Sequence, residues 1–176
     1  MEGLESGEFE LVMLVFRVLV GLTFASHGWA KMFSGGRIPG TAGWFDSIGM
    51  KPGKLHAWAA ATTELSTGVL LVLGFLTPFA AAGVIGVMVV AGWTVHRSSG
   101  FAIVKNGWEY TFVVGLIAAT IAGLGPGRIS LDGALDISDD LNGYAGLAIA
   151  LVLGVGAGAA QVATFFRPPA PASAPA

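Results

Sequence analysis

Pro78-Phe-Ala-Ala-Ala-Gly-Val-Ile-Gly-Val-Met-Val-Val-Ala-Gly-Trp-Thr-Val95 runs eighteen residues without a charged group. A bilayer's hydrocarbon core is about 30 Å thick and takes about 20 helical residues to cross. Thr77-Pro78 opens the stretch as an N-cap followed by a first-turn proline. It therefore reads as a membrane-spanning helix. Four further stretches read the same way: Phe9–Phe33, Leu55–Leu76, Gly107–Leu124 and Tyr144–Phe166. Gly125-Pro126-Gly127 stops the fourth span and Arg167-Pro168-Pro169 the fifth. The fold class is all-α, a polytopic membrane helical bundle.

Composition agrees. Of 176 residues, 54% are hydrophobic and 11% charged. A soluble domain carries about 25% charged residues, so this chain lacks the charge to coat a water-facing surface. Its 27 glycines lie mostly inside apolar stretches, where small residues let membrane helices approach closely. A net charge of −2 argues against an electrostatic nucleic-acid binder. With no cysteine, thiol catalysis, disulfides and cysteine-held metal centres are excluded. Glu2, Glu5, Glu8 and Glu10 occupy the start without a basic residue. That is the reverse of a signal peptide's n-region, so the first span is expected to be retained.

Residues 1–142 are expected to hold four spans, with a short interfacial helix near residues 41–50. Residues 143–167 add a fifth span. Residues 168–176, all Pro, Ala and Ser, read as a disordered tail. Five spans put Lys31, Arg37, Lys51, Lys54, Arg97, Lys105 and Arg167 on one side and only Arg128 on the other. By the positive-inside rule the basic side is cytoplasmic, with the N-terminus outside. The expected location is the bacterial inner membrane.

A charge within a span costs at least about 2.5 kcal/mol near its centre and so needs a reason. Arg17 and Glu64 fall at similar depths in the first two spans. They read as a buried ion pair fixing helix register, or as a proton path with Glu64 as a protonated acid. His27 and Lys31, four apart, share a helix face near the inner end, at the level of Asn106 and Glu109. These four form a candidate ligand site. Their plain readings stay open beside it: Lys31 as a snorkelling cation, and Asn106 and Glu109 as a capping box. His27 with His96 offers axial haem ligation as an alternative. His56 reads as a surface residue. Gly115, Ala119 and Gly123 form one small-residue ladder, and Gly146, Ala150, Gly154 and Gly158 another. The second is expected to dock the fifth helix. Gln161 can add a hydrogen bond between helices.

Four stretches in order then carry a family pattern. They are Arg17-Val-Leu-Val-Gly21 running on to His27-Gly-Trp-Ala-Lys-Met-Phe33, Gly43-Trp-Phe45 leading to Ile48-Gly49, Glu64-Leu-Ser-Thr-Gly68 followed by Leu70-Leu-Val-Leu-Gly-Phe-Leu-Thr-Pro78, and Asn106-Gly-Trp-Glu109 followed by Gly125-Pro-Gly-Arg-Ile-Ser-Leu-Asp132. The chain resembles the DoxX family, also written DoxX/DoxD-like, of small bacterial membrane proteins. The resemblance covers roughly Leu11 to Leu135 and implies a four-helix membrane core, to which this chain adds a fifth helix. It also implies a redox setting, since the family is named for subunits of a terminal quinol oxidase and of thiosulfate:quinone oxidoreductase. The expected function is a membrane subunit in quinone-linked redox or oxidative-stress chemistry, with quinone as ligand and no covalent cofactor. The expected partners are the lipid bilayer, membrane or peripheral redox subunits, or a second copy, and no nucleic acid. A non-catalytic assembly subunit and a small-solute or proton pathway are the alternatives.

Overall fold

The structure, a computed structural model, describes residues 6–168. The acidic start at Glu2 and Glu5, and the expected tail beyond Pro168, lie outside the described residues. Among the described residues eight α-helices follow one another: α1 (Ser6–Phe33), α2 (Arg37–Ser47), α3 (Gly53–Leu73), α4 (Thr77–Ala91), α5 (Glu109–Leu124), α6 (Leu131–Ala134), α7 (Ser138–Leu141) and α8 (Gly143–Phe165). A π-helical turn, Gly92–His96, extends α4. Gly7–Phe33, Thr77–Ser99 and Gly143–Phe165 are long and apolar enough to cross a membrane, and α5 is a shorter apolar helix. α3 has 21 residues, enough for a crossing of about 30 Å, but its polar residues lower its apolarity. The protein is an all-α membrane helical bundle.

α4 is the centre of the bundle. α3, α5 and α8 pack on it, while α1 packs chiefly on α3. Lipid tails give apolar helices no reason to leave them for one another, so close backbone packing must hold the bundle. The core accordingly uses alanine: Ala80 and Ala81 of α4, Ala118 and Ala122 of α5 and Ala150 of α8 are all fully enclosed with Val84 and Leu71. α1 and α3 meet at Gly21 and Gly68, where a Cβ on Gly21 would sit 2.6 Å from the Gly68 carbonyl oxygen. The buried residues of α8 are Gly146, Ala150, Gly154 and Gly158. A Cβ on Gly154 would lie 2.7 Å from the Ala82 carbonyl, and one on Gly158 2.9 Å from that of Gly86. Gly154 and Gly158 thus face α4, while Gly146 lies against Ala122 O of α5.

The two ends of the bundle are knitted differently. At one end, the Gly49 carbonyl accepts from Arg167 N at 2.8 Å, and Met50 pairs with Phe166. This fastens the end of α8 to the α2–α3 connection. Asp46 of α2 accepts from Gly53 N at 2.7 Å and so caps α3. At the other end, the start of α1 meets the α5–α6 connection, where Glu10 accepts from Arg128 N.

Two helix starts differ from the sequence reading. Thr77 does not cap α4. Leu76 is the N-cap, with a left-handed φ of 47°, and the orphan N–H groups go to Asp132, 55 residues away. Asn106 and Glu109 form no capping box either. Asn106 is left-handed (φ 61°), α5 starts only at Glu109, and the Glu109 carboxylate accepts from Ile103 N at 2.8 Å. That bond closes the preceding turn, and Glu109, as the first residue of α5 after the N-cap Trp108, does not stand three residues past a cap as a capping box requires.

Candidate functional site

The antiparallel register of α1 against α3 decides which charges meet. With Gly21 on Gly68, Arg17 lies one turn further out, beside Leu71 and Val72. Glu64 is eight residues from Val72, about 12 Å along the helix. Helical side chains also tilt toward their own N-terminus. In antiparallel helices this sends Arg17 toward the N-terminal end of α1 and Glu64 toward the opposite end of the bundle. The expected Arg17–Glu64 pair is therefore not formed, and no path between them is assembled.

Arg17 instead donates to four carbonyls. Nε reaches Pro126 O at 3.1 Å, Nη1 reaches Leu71 O at 3.0 Å and also Val72 O, and Nη2 reaches Ile129 O. Beside it, Asp132 accepts from Leu76 N at 2.7 Å, Thr77 N at 3.0 Å and Thr77 Oγ1 at 2.8 Å. Arg17, Thr77 and Asp132 are almost wholly enclosed. Together they clamp the α3–α4 turn to the α5–α6 connection. The role of Asp132 was hidden in the sequence, although Ser130, which caps α6 through Gly133 N, marks a structured turn there.

Glu64 finds Lys31. Lys31 Nζ donates to Glu64 Oε2 at 2.6 Å, the only ion pair among the described residues. The pair lines a partly open cavity of about 450 Å³ bounded by the end of α1, α2, α3, α4 with its π turn, and α8. Trp44, Phe45, Ala60, Val87 and Leu153 contribute apolar walls. His56 and Gln161 line the same cavity, with Gln161 Nε2 at 2.9 Å from His56 Nδ1. In this orientation the Gln161 amide donates, so Nδ1 accepts and a neutral ring carries its proton on Nε2. The imidazole packs edge-on to Phe165 at 4.9 Å between centroids. Its Nε2 is the one buried side-chain polar atom among the described residues without a hydrogen-bond partner. The Lys51 backbone approaches the ring without completing such a bond.

His56 is thus no surface residue; it is 1% exposed. Its position near the start of α3 suggested water contact, but α2 and the end of α8 fold over it. The four residues expected to form one site separate. Lys31 joins the cavity, while His27 is exposed on α1. Asn106 is exposed and its carbonyl contacts His96 Nδ1 at 2.9 Å. Glu109 is tied to the turn before α5. The sequence set them at one level, but α1 packs on α3 while α5 packs on α4 and α8. His27 and His96 accordingly form no axial pair. Among the described residues no group of three or more His, Asp or Glu is placed to hold a metal ion.

A family model described as DoxX matches residues 12–97. An uncharacterized membrane protein of Mycobacterium tuberculosis is 30% identical over 131 residues, covering 68% of this chain and 78% of that protein. An uncharacterized protein of Haemophilus influenzae is 26% identical over 140 residues, covering 75% of this chain and 86% of its own length. No solved structure matches the chain. The matched region runs from within α1 to the end of the π turn after α4 and so holds Arg17, Lys31, His56 and Glu64, whereas Gln161 lies beyond it.

Proposed function

The chain belongs to the DoxX family, and on that footing we propose that it is an inner-membrane subunit of quinone-linked redox chemistry whose cavity receives a quinone head. The observation that carries this reading is a mostly apolar cavity of 450 Å³ with two polar pairs in its wall and an unpartnered His56 Nε2. Ligand sites combine these features: apolar walls and a few placed polar groups. The His56 N–H suits a carbonyl oxygen, and the Lys31 ammonium, held by Glu64, offers a second donor. A bound quinone supplies two-electron, two-proton carriage within the membrane. The chain's own residues bind and orient the head and hold protons at His56 Nε2 and Lys31 Nζ. Electrons come from a partner oxidoreductase subunit.

His56→Phe keeps the ring bulk against Phe45 and Phe165 and removes both nitrogens. Binding of a short-chain quinone to the full chain in nanodiscs is expected to weaken about tenfold, the loss of one well-placed hydrogen bond. Lys54→Gln, at an exposed position of the same helix, is expected to bind normally. Undiminished affinity in His56→Phe would move the site elsewhere. A stoichiometric partner copurifying without quinone would favour the assembly-subunit reading.

The orientation proposed is N-terminus outside and C-terminus inside, because the end of the bundle carrying Lys31, Arg37, Lys51, Arg97, Lys105 and Arg167 is the basic one. Ser6→Cys and Ser173→Cys, made singly, are expected to label from opposite sides of intact cells. Labelling from the same side would rule out an odd number of spans.

A further inference from the structure

A second cavity, of about 590 Å³, lies between the π turn that extends α4, α5 and α8. It shares none of the polar residues of the first. Gly115 and Ala119, from the α5 small-residue ladder, line it. A ladder of this kind ordinarily admits a neighbouring helix. Here a Cβ on Gly115 would meet nothing within 4 Å, so the space the small residue leaves is unfilled. The rim residues Phe112, Leu116, Leu151 and Val155 are exposed on the outside of the helices. The groove therefore opens sideways, toward the bilayer.

One end of the groove is cationic. Arg97 lines it and lies over the Trp93 ring, with Cζ 4.3 Å from the centroid. Among the described residues no carboxylate lies within 4 Å of Arg97. Trp93 and Trp108 flank this end, the residue type that marks headgroup depth. The interior offers no free donor: the hydroxyl of Thr111 already donates to Trp108 O at 2.8 Å.

We infer that this groove holds one acyl chain of an anionic membrane phospholipid, with the headgroup phosphate on Arg97. The bilayer's own chains are the solvent at a sideways opening, so they are the first apolar occupants available. The guanidinium's planar fork matches phosphate oxygens, and its stacking on Trp93 fixes it at the groove mouth; it favours a net anionic lipid because a zwitterionic headgroup carries, beside the same phosphate, a cation that offsets the attraction. A neutral amphiphile would fill the groove equally well and leave Arg97 without its anion.

The test uses the full chain in mild detergent, loaded with phosphatidylglycerol or phosphatidylcholine of equal chain length and read by native mass spectrometry. Wild-type protein is expected to retain one phosphatidylglycerol, preferred about fivefold for the single basic contact. Arg97→Gln is expected to erase the preference, and Lys105→Gln, a cation that does not line the groove, to keep it. Gly115→Leu sets its Cβ in open space, directs apolar bulk into the groove and replaces glycine by a better helix former. It should lose the retained lipid of either kind without a fall in melting temperature. Equal retention of the two lipids by wild type, or full retention in Gly115→Leu, overturns the inference. So does an equal effect of Lys105→Gln. A wild-type dimer that Gly115→Leu turns into a monomer would overturn it too, giving the groove to a second copy.

Discussion

Arg17→Met is expected to leave little folded protein in the membrane. The guanidinium is 1% exposed and serves four backbone carbonyls. Two of these, Leu71 and Val72, lie at the C-terminal end of α3, where the helix dipole favours a cation. The other two, Pro126 and Ile129, belong to an irregular connection with no helical ladder to take them up. Leu71 O keeps the Gly74 N–H, but Val72, Pro126 and Ile129 lose their donor; each buried acceptor left unpaired costs about 1–3 kcal/mol, so the loss is on the order of 4 kcal/mol. Arg17→Lys should recover little, since one ammonium cannot reach carbonyls spread around a planar fork. Yield and melting midpoint in detergent check this; a midpoint within a few degrees of wild type would contradict it. The separate networks also make Arg17→Met and Glu64→Leu additive, as for sites without shared partners. A double variant better than the sum would restore a direct link between them.

Lys31→Met is expected to cost more than Glu64→Leu. Glu64 is the more enclosed partner, with its side chain 8% exposed against 25% for Lys31. Losing Lys31 strands a carboxylate inside the bundle, at about 3 kcal/mol. Losing Glu64 strands an ammonium whose four-carbon stem can carry it toward the headgroups. Because apolar replacement of both partners of a buried pair is often tolerated, the Lys31→Met, Glu64→Leu double variant should regain most of the melting midpoint. The same double variant is expected to bind quinone less well than wild type, since a structural role and a ligand role separate there. A double variant as unstable as the sum of the singles would show that the 2.6 Å contact carries no coupling.

What could be read along the chain was what one helix decides for itself. The uncharged run from Pro78 to Val95 fixes a crossing by length and apolarity, and the structure continues that helix through its π turn. The four-residue spacing of Gly146, Ala150, Gly154 and Gly158 defines a single face of α8, and those are its buried residues. Charges buried in apolar spans announced that Arg17 and Glu64 needed partners. Which partners they took depended on quantities between helices: the register set where Gly21 meets Gly68, and the opposed tilt of side chains on antiparallel neighbours. Spacing within a helix gives a face and a depth but not the neighbour that the face meets. His27, Lys31, Asn106 and Glu109, expected at one depth, therefore parted, Lys31 to Glu64 and the cavity, Glu109 to Ile103 N. His56 looked like the wet start of a helix until α2 and α8 enclosed it. Asp132 could be assigned only once the chain had brought it, from 55 residues away, onto the open N–H groups of α4.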